Sequence, residues 1–356
     1  MGVTAPGASA VPDGPARPAV LAIDAGNSKT DAVLVAADGT VLGTGRAGGF
    51  QPPRTGVEAA VDVLAEAVSA AAAAAGLPGV PRVARVSACL ANVDLPVEER
   101  RLTEAVAARG WGAATEVRND TFAILRAGVD TPFGVAVVCG AGINCVGMLP
   151  DGRTARFPAL GQISGDWGGG GGLAQEALWW AARAEDGRGG PTALATALPG
   201  HFGLASMAAL IEAAHLGTLA RERLHELVPV LFAVAAAGDP VASALVERQA
   251  DEVVAMASVA MERLGLLERE VPVLLGGSVL AARHPQLNGR IEELLAVRAP
   301  WARVSVVTAP PVLGAALLGL DALGAPAGAA ARLLTRLSET APGTSAAGTT
   351  GAAEAY

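Results

Sequence analysis

Short apolar runs closed by glycine turns alternate along this chain with longer segments of helical period. The first apolar run predicts a strand over 19–24, closed by Ala25-Gly26-Asn27-Ser28-Lys29, and a second strand over 30–36. Asp38-Gly39 is a two-residue hairpin signal leading to a third strand, 41–46. Thr55-Gly56-Val57-Glu58 reads as a capping box for a helix ending near Gly76. A buried strand over 83–90 follows, then a helix capped by Asp94 and stopped at Gly110. A strand over 115–118 ends in Asn119-Asp120, before a short helix over 121–127.

The pattern then restarts. A strand over 134–139 runs into the tight turn Gly140-Ala141-Gly142, a second strand covers 144–149, Asp151-Gly152 is another hairpin signal, and a third strand covers 154–157. Strand, glycine turn, strand, Asp-Gly turn, strand therefore occurs twice, an internal repeat that predicts two similarly built halves. The remainder reads as helices over 172–184, 204–215, 221–236 and 240–264, strands over 271–275 and 303–308, and a last helix after Pro310-Pro311. The fold class is α/β, with duplicated domains facing each other across a cleft. The expected domains are 18–132, with the helix over 311–325 packing back on it, and 133–310. Residues 1–17 and 336–356, rich in Gly, Ala, Ser, Thr and Pro, read as disordered tails.

Composition narrows the classes. The 356 residues are 51% hydrophobic and 17% charged, enough apolar material for a large core and too little charge for a disordered chain. Only 3% are aromatic, so that core is built from Ala, Val and Leu. A net charge of −8 argues against nucleic acid or an anionic membrane surface as partner. No run reaches the roughly 18 uninterrupted apolar residues of a membrane span, and the first 17 residues lack a signal-peptide pattern. Cys89, Cys139 and Cys145 lie in apolar runs and read as buried, reduced thiols, which fits the cytoplasm. The four histidines show no metal-ligand spacing.

Candidate chemistry sits in the turns. In the loop Asp24-Ala25-Gly26-Asn27-Ser28-Lys29-Thr30, small residues let successive N–H groups approach phosphate oxygens. Ser28 and Thr30 add hydroxyls and Lys29 a charge, while Asp24 is placed to hold Mg²⁺ directly or through water. The loop joins two strands, so it is neither a P-loop nor a dinucleotide fingerprint. Gly140-Ala141-Gly142-Ile143-Asn144 is a second such loop, and Gly276-Gly277 after the 271–275 strand is placed to back an adenosine. Two hairpin loops gripping one polyphosphate is the plan of the actin, Hsp70 and hexokinase superfamily. Asp120 is then a candidate base for an acceptor hydroxyl, or else the cap of the helix behind it. Asp166, before the five glycines Gly168–Gly172, is a candidate ligand for sugar hydroxyls. Trp179-Trp180 reads as core or interface packing, and the run Glu98 to Arg101 as a solvated face.

These residues taken together resemble the BadF/BadG/BcrA/BcrD ATPase family, in particular its N-acetylglucosamine kinase branch. The resemblance covers about residues 18–325 and rests on residues 23–31, Asn119-Asp120, Val138 to Gly142, Gly165-Asp166-Trp167-Gly168 and Gly276-Gly277. It implies duplicated actin-like (ribonuclease H-like) ATPase domains and MgATP-dependent phosphorylation of a sugar at its 6-hydroxyl. It also implies Asp120 as base, Asp166 on the sugar side and pairing as a homodimer; Asn119, Gly165 and Gln51 are further candidates on the sugar side. Glucosamine, N-acetylmuramate or a cyclitol are alternative acceptors to N-acetylglucosamine. An ATPase activating a partner enzyme is the alternative of another class. The family's Gly-Asp-Glu-Gly is Gly-Asp-Trp-Gly here, and its Gly-Thr-Gly-Ser is Gly-Ala-Gly-Ile. Both departures bear on sugar choice and side-chain donors rather than on the loop scaffold.

Overall fold

Apolar strands that follow one another through a short turn of three to five residues pair antiparallel, because so short a connection cannot reach a parallel partner. In the computed structural model, which describes residues 17–340, this happens twice. Strands β1 (Pro18–Ala25), β2 (Thr30–Ala36) and β3 (Val41–Ala47) form one meander. Crossover helices then deliver β4 (Val83–Leu90) parallel to β1 and β5 (Gly112–Asn119) parallel to β4. The same order recurs with β6 (Gly134–Cys139), β7 (Ile143–Met148), β8 (Thr154–Arg156), β9 (Val271–Gly276) and β10 (Ala302–Val306). The sheets run β3-β2-β1-β4-β5 and β10-β9-β6-β7-β8, one topology used twice. The chain is thus a mixed α/β protein built on a duplicated five-stranded sheet.

Register decides where chemistry can sit. Asp24 pairs with Cys89 and Leu90 with Asn119, so β1, β4 and β5 all end at one edge. There Ala91 N donates to Ala25 O at 2.7 Å and Asp120 N to Leu90 O at 3.1 Å. In the second sheet Val138 pairs with Gly276, which sets the β6 and β9 ends side by side. Ligands of open α/β sheets bind at such carboxyl edges.

The helix Pro311–Leu323 lies against β1, β4 and the helix Thr121–Ala127. Its glycines permit the approach: a Cβ on Gly314 would stand 1.8 Å from Ala123 O. Arg126, buried on the facing helix, makes a two-pronged contact to Asp321 at 2.6 and 3.1 Å and donates to Val129 O.

Several local expectations change. Thr55 is no cap: its hydroxyl bonds Gln51 O inside a separate turn, Pro52–Thr55, and Gly56 opens the helix Val57–Ala74. Asp94 is no cap either. The helix Pro96–Ala107 starts after Leu95, and Glu98 reaches back to the N–H groups of Asp94 and Leu95 at 3.1 and 2.9 Å. Glu98 and Glu99 are therefore not merely solvated; Glu99 pairs with Arg156 of β8 across the two halves. The helices Leu194–His201, Pro285–Arg298 and Ala329–Thr340 were not expected. The last of these occupies 336–340, assigned above to a tail; residues 1–16 and 341–356 lie outside the described residues. Among the described residues no single helix is long and apolar enough to cross a membrane.

Candidate active site

Each meander presents its first turn at the carboxyl edge of its sheet. In the first, Gly26 N closes on Lys29 O at 2.9 Å, while the amides of Asn27 and Ser28 donate to no protein acceptor among the described residues. The turn is braced from three sides: Phe50 N donates to Gly26 O, Gln51 Nε2 to Asn27 O at 2.8 Å, and Asn92 Nδ2 to Asn27 Oδ1 at 3.1 Å. Gly49 fits only because it lacks a side chain, since a Cβ there would meet Asn27 O at 2.1 Å. In the second turn Gly140 N closes on Gly142 O, and the Ala141 and Gly142 amides are likewise left without an acceptor among the described residues.

The five-glycine run is tied down rather than slack. Gly170 N donates to Gly140 O at 2.7 Å and Gly171 N to Ala141 O at 2.8 Å, so the first turn of the helix Gly169–Glu185 is bonded to the second loop. A Cβ on Gly169 would stand 2.4 Å from Gly142 C. Gly277, at φ +82°, packs beneath the same loop, with Cys139 O 2.4 Å from where its Cβ would be. Gly277 and Gly169–Gly171 thus grip one loop from two sides.

Carboxylates gather at the edge between the turns. Asp24 lies one residue before the end of β1, is 7% exposed, and its carboxylate makes no hydrogen bond among the described residues. Burial, then the charges of Asp120 and Asp31, push it up to about 8, against Lys29. Asp120 holds the cap position of its helix but makes no capping bond, and burial raises it to about 6. Asp94 is raised to about 7 by burial and by Asp120, with Arg156 opposing. Asn119, 3% exposed, ties this group together. Its Nδ2 donates to Asp94 Oδ1 at 2.9 Å, and its Oδ1 accepts from Thr121 N at 3.0 Å and from Asn144 Nδ2 at 3.2 Å. Asn144, expected on the phosphate side, therefore bridges to the other half of the molecule. Asp94 was missed by sequence reasoning because Asp before a helix looks like a cap.

Some expected side chains are otherwise engaged. Lys29 pairs with Asp31 at 2.8 Å, beside Arg46 at 2.6 Å. Burial works against the charge of Asp31, but the two cations hold it below the usual range. Thr30 is fully buried with an unpartnered hydroxyl, so it does not offer that hydroxyl at the loop surface; Ser28 is exposed there. The Gln51 amide braces the first loop at one end and accepts from Arg54 at the other.

Twin turns with free amides, built on one repeated meander, match a family defined over nearly the whole chain: residues 21–319 fit the model of the BadF/BadG/BcrA/BcrD ATPase family. The chain belongs to that family.

Relatives within reach of sequence comparison are amino-sugar kinases. The chain is 27% identical over 209 residues, 58% of its length, to an N-acetyl-D-glucosamine kinase of Dictyostelium discoideum. It is 25% identical over 190 residues, 53% of its length, to an N-acetylmuramic acid/N-acetylglucosamine kinase of Clostridium acetobutylicum. It spans 65% and 62% of these curated relatives, under two thirds of each. Among solved structures, one from Chromobacterium violaceum named as an N-acetylglucosamine kinase covers 86% of this chain and all of its own, at TM-score 0.66 and 24% identity. A ROK family glucokinase from Streptomyces griseus, in complex with glucose and AMPPNP, covers 85% of this chain and 98% of its own, at TM-score 0.51 and 19% identity. At these identities the structural likeness speaks for the fold alone, the duplicated α/β sheet architecture described above.

In this BadF-family chain the Asp166 carboxylate closes its own turn, accepting from Ser164 Oγ at 2.5 Å and Gly161 N at 3.0 Å through Oδ2. Oδ1 has no partner among the described residues and is free to take a ligand. A divalent cation suits Asp24: a carboxylate oxygen set among other carboxylates, without a protein donor, is the environment a hard cation relieves. No group of three or more metal-ligating side chains occurs among the described residues, so such a cation would be shared with phosphate and water rather than caged.

Proposed function

We propose that this protein is an ATP-dependent amino-sugar kinase, transferring the γ-phosphoryl group to a sugar hydroxyl, with N-acetylglucosamine and its 6-hydroxyl as the reference acceptor. The observation that carries this reading is the pair of turns with free amides on either side of a carboxylate that caps nothing. The 24–30 and 140–144 loops cradle the triphosphate with the Asn27, Ser28, Ala141 and Gly142 amides, and Gly276-Gly277 backs the adenosine. Asp24 would hold Mg²⁺, which when bound neutralises phosphate charge.

Asp120 accepts the proton of the acceptor hydroxyl as that oxygen bonds to the γ-phosphorus and the bond to the β,γ-bridging oxygen breaks, releasing ADP. With a pKa of about 6 it is mostly ionised at pH 7 and ready to take a proton. Asn119 and Asp166 orient the sugar, Asn119 through a position fixed by Asp94 and Asn144. Closure of the 18–132 and 133–310 domains excludes water, which otherwise competes for the phosphoryl group. The absence of a long apolar helix among the described residues and three buried thiols fit a cytoplasmic enzyme.

The test is Asp120→Asn assayed with MgATP and a panel of hexoses, amino sugars and cyclitols. Turnover is expected to fall roughly 10²-fold or more with an unchanged circular dichroism spectrum. Wild-type turnover in the folded variant refutes the assignment.

A further inference from the structure

A cavity of about 1010 Å³ opens where Ala141 and Gly142 meet Asp166 and runs between the helices Gly169–Glu185 and Pro240–Leu264. That is the upper end of the roughly 300–1,000 Å³ that pockets for drug-sized ligands span, more than one sugar ring requires. We propose that this cavity is an acceptor subsite for a second saccharide ring, so that the preferred substrate is an amino sugar joined to another ring rather than a free monosaccharide. The inference rests on the kinase reading and extends it to the substrate class.

Four observations carry it. First, the cavity is continuous with the acceptor side: Asp166, whose Oδ1 is free, lines its mouth, and Trp167 is the next residue along the chain. Second, its wall is aromatic in a chain with only 3% aromatic residues: Trp167, Trp179 and Trp180 line it, three of the five tryptophans. Trp179 is 50% exposed and stands edge-on to Trp180 at 4.8 Å, while Trp180 packs against the core as expected. Indole faces are apolar surfaces on which the C–H face of a pyranose can lie.

Third, the polar groups match hydroxyls. The Gln162 and Gln175 side chains line the cavity with no hydrogen-bond partner among the described residues. Glu176 accepts from Trp167 Nε1 at 3.2 Å through Oε1, and its Oε2 has no partner there. Fourth, the charges disfavour an anion. Arg248, the cavity's one cation, covers the Trp167 ring at 4.1 Å and shares the wall with Asp166 and Glu176, with no lysine beside it. Away from the Ala141–Gly142 end, a neutral, hydroxyl-rich ring with an apolar face fits this lining.

The experiment compares N-acetylglucosamine with its β-1,4-linked disaccharide, using the full chain and MgATP for kcat/KM and calorimetric titration without ATP for binding. We expect the disaccharide to exceed the monosaccharide in kcat/KM by about tenfold or more, the scale of one good stacking contact. Ala244→Trp, at an exposed position on the cavity wall, brings the disaccharide down to the monosaccharide's value. Trp179→Ala, at a side chain already half in solvent, lowers the same advantage and serves if the first variant fails to fold. Equal kcat/KM for the two sugars in the wild type, or an advantage that survives both variants, overturns the proposal and leaves the kinase reading intact. If neither sugar is phosphorylated the kinase reading falls, and titration decides the subsite. Disaccharide-specific heat lost in Ala244→Trp upholds it; no such heat overturns it.

Discussion

Gly277→Ala separates the nucleotide loop from the rest of the site. Gly277 has φ +82°, and an L-residue in that region costs about 1–2 kcal/mol. The new Cβ would stand 2.4 Å from Cys139 O, 2.5 Å from Cys139 C and 2.8 Å from Gly140 N, all backbone, so no side chain can swing away. Restoring ordinary contact near 3.4 Å moves the second loop by about 1 Å. A misplacement of about 1 Å in a reacting assembly costs on the order of 10²-fold in rate. The expected result is a kcat/KM for ATP lowered by about that factor and a melting temperature a few degrees lower, at roughly 2–4 °C per kcal/mol. The matched control is Gly289→Ala, where a Cβ meets nothing within 4 Å. Steady-state kinetics with varied ATP, beside thermal unfolding, check both numbers. A folded Gly277→Ala protein with wild-type ATP kinetics refutes the placement of that loop on the nucleotide.

The acid limb of the pH–rate profile for kcat/KM is expected near pH 6. Asp120, raised to about 6, must be ionised to accept a proton, so the rate falls as pH drops through that value, and the residual rate of Asp120→Asn lacks the limb. Asp321→Ala strands the buried guanidinium of Arg126; urea unfolding is expected to show a loss of about 3 kcal/mol, the low end for breaking a buried pair because Val129 O remains a partner. The double variant Arg126→Met/Asp321→Leu recovers most of that loss, and an additive loss instead would refute the account.

The features legible in the sequence were the local ones. Asp38-Gly39 and Asp151-Gly152 are hairpin turns with Gly39 and Gly152 at φ near +90°, because only two residues and their conformational freedom are needed to reverse the chain. The repeated meander follows from those turns, and the two-sheet fold follows from the meander. What the sequence concealed depends on groups brought together from far apart. Asp94 has the look of a cap, yet its partner is Asn119, 25 residues away, and the capping is done by Glu98. The run Gly168–Gly172 looks like slack, yet it is where a helix and a loop touch backbone to backbone. Residues 194–201 hide a helix because Pro199 interrupts the expected pattern.

The Asp94–Asn119–Asn144 chain shows why those distant pairings matter for phosphoryl transfer. Asn119 sits on β5 of the first sheet and Asn144 on β7 of the second, so their 3.2 Å bond ties the two halves at the point where Asp120 begins its helix. Arg156, donating to Val93 O and pairing with Glu99, adds a second tie on the same side. On the opposite side of the edge, where the free amides of the two turns lie, no side-chain bridge of that kind joins the halves among the described residues. On the proposed kinase reading, closure would hinge on the sugar side, and a triphosphate held by both turns would link the halves on the other, coupling nucleotide binding to the exclusion of water around Asp120.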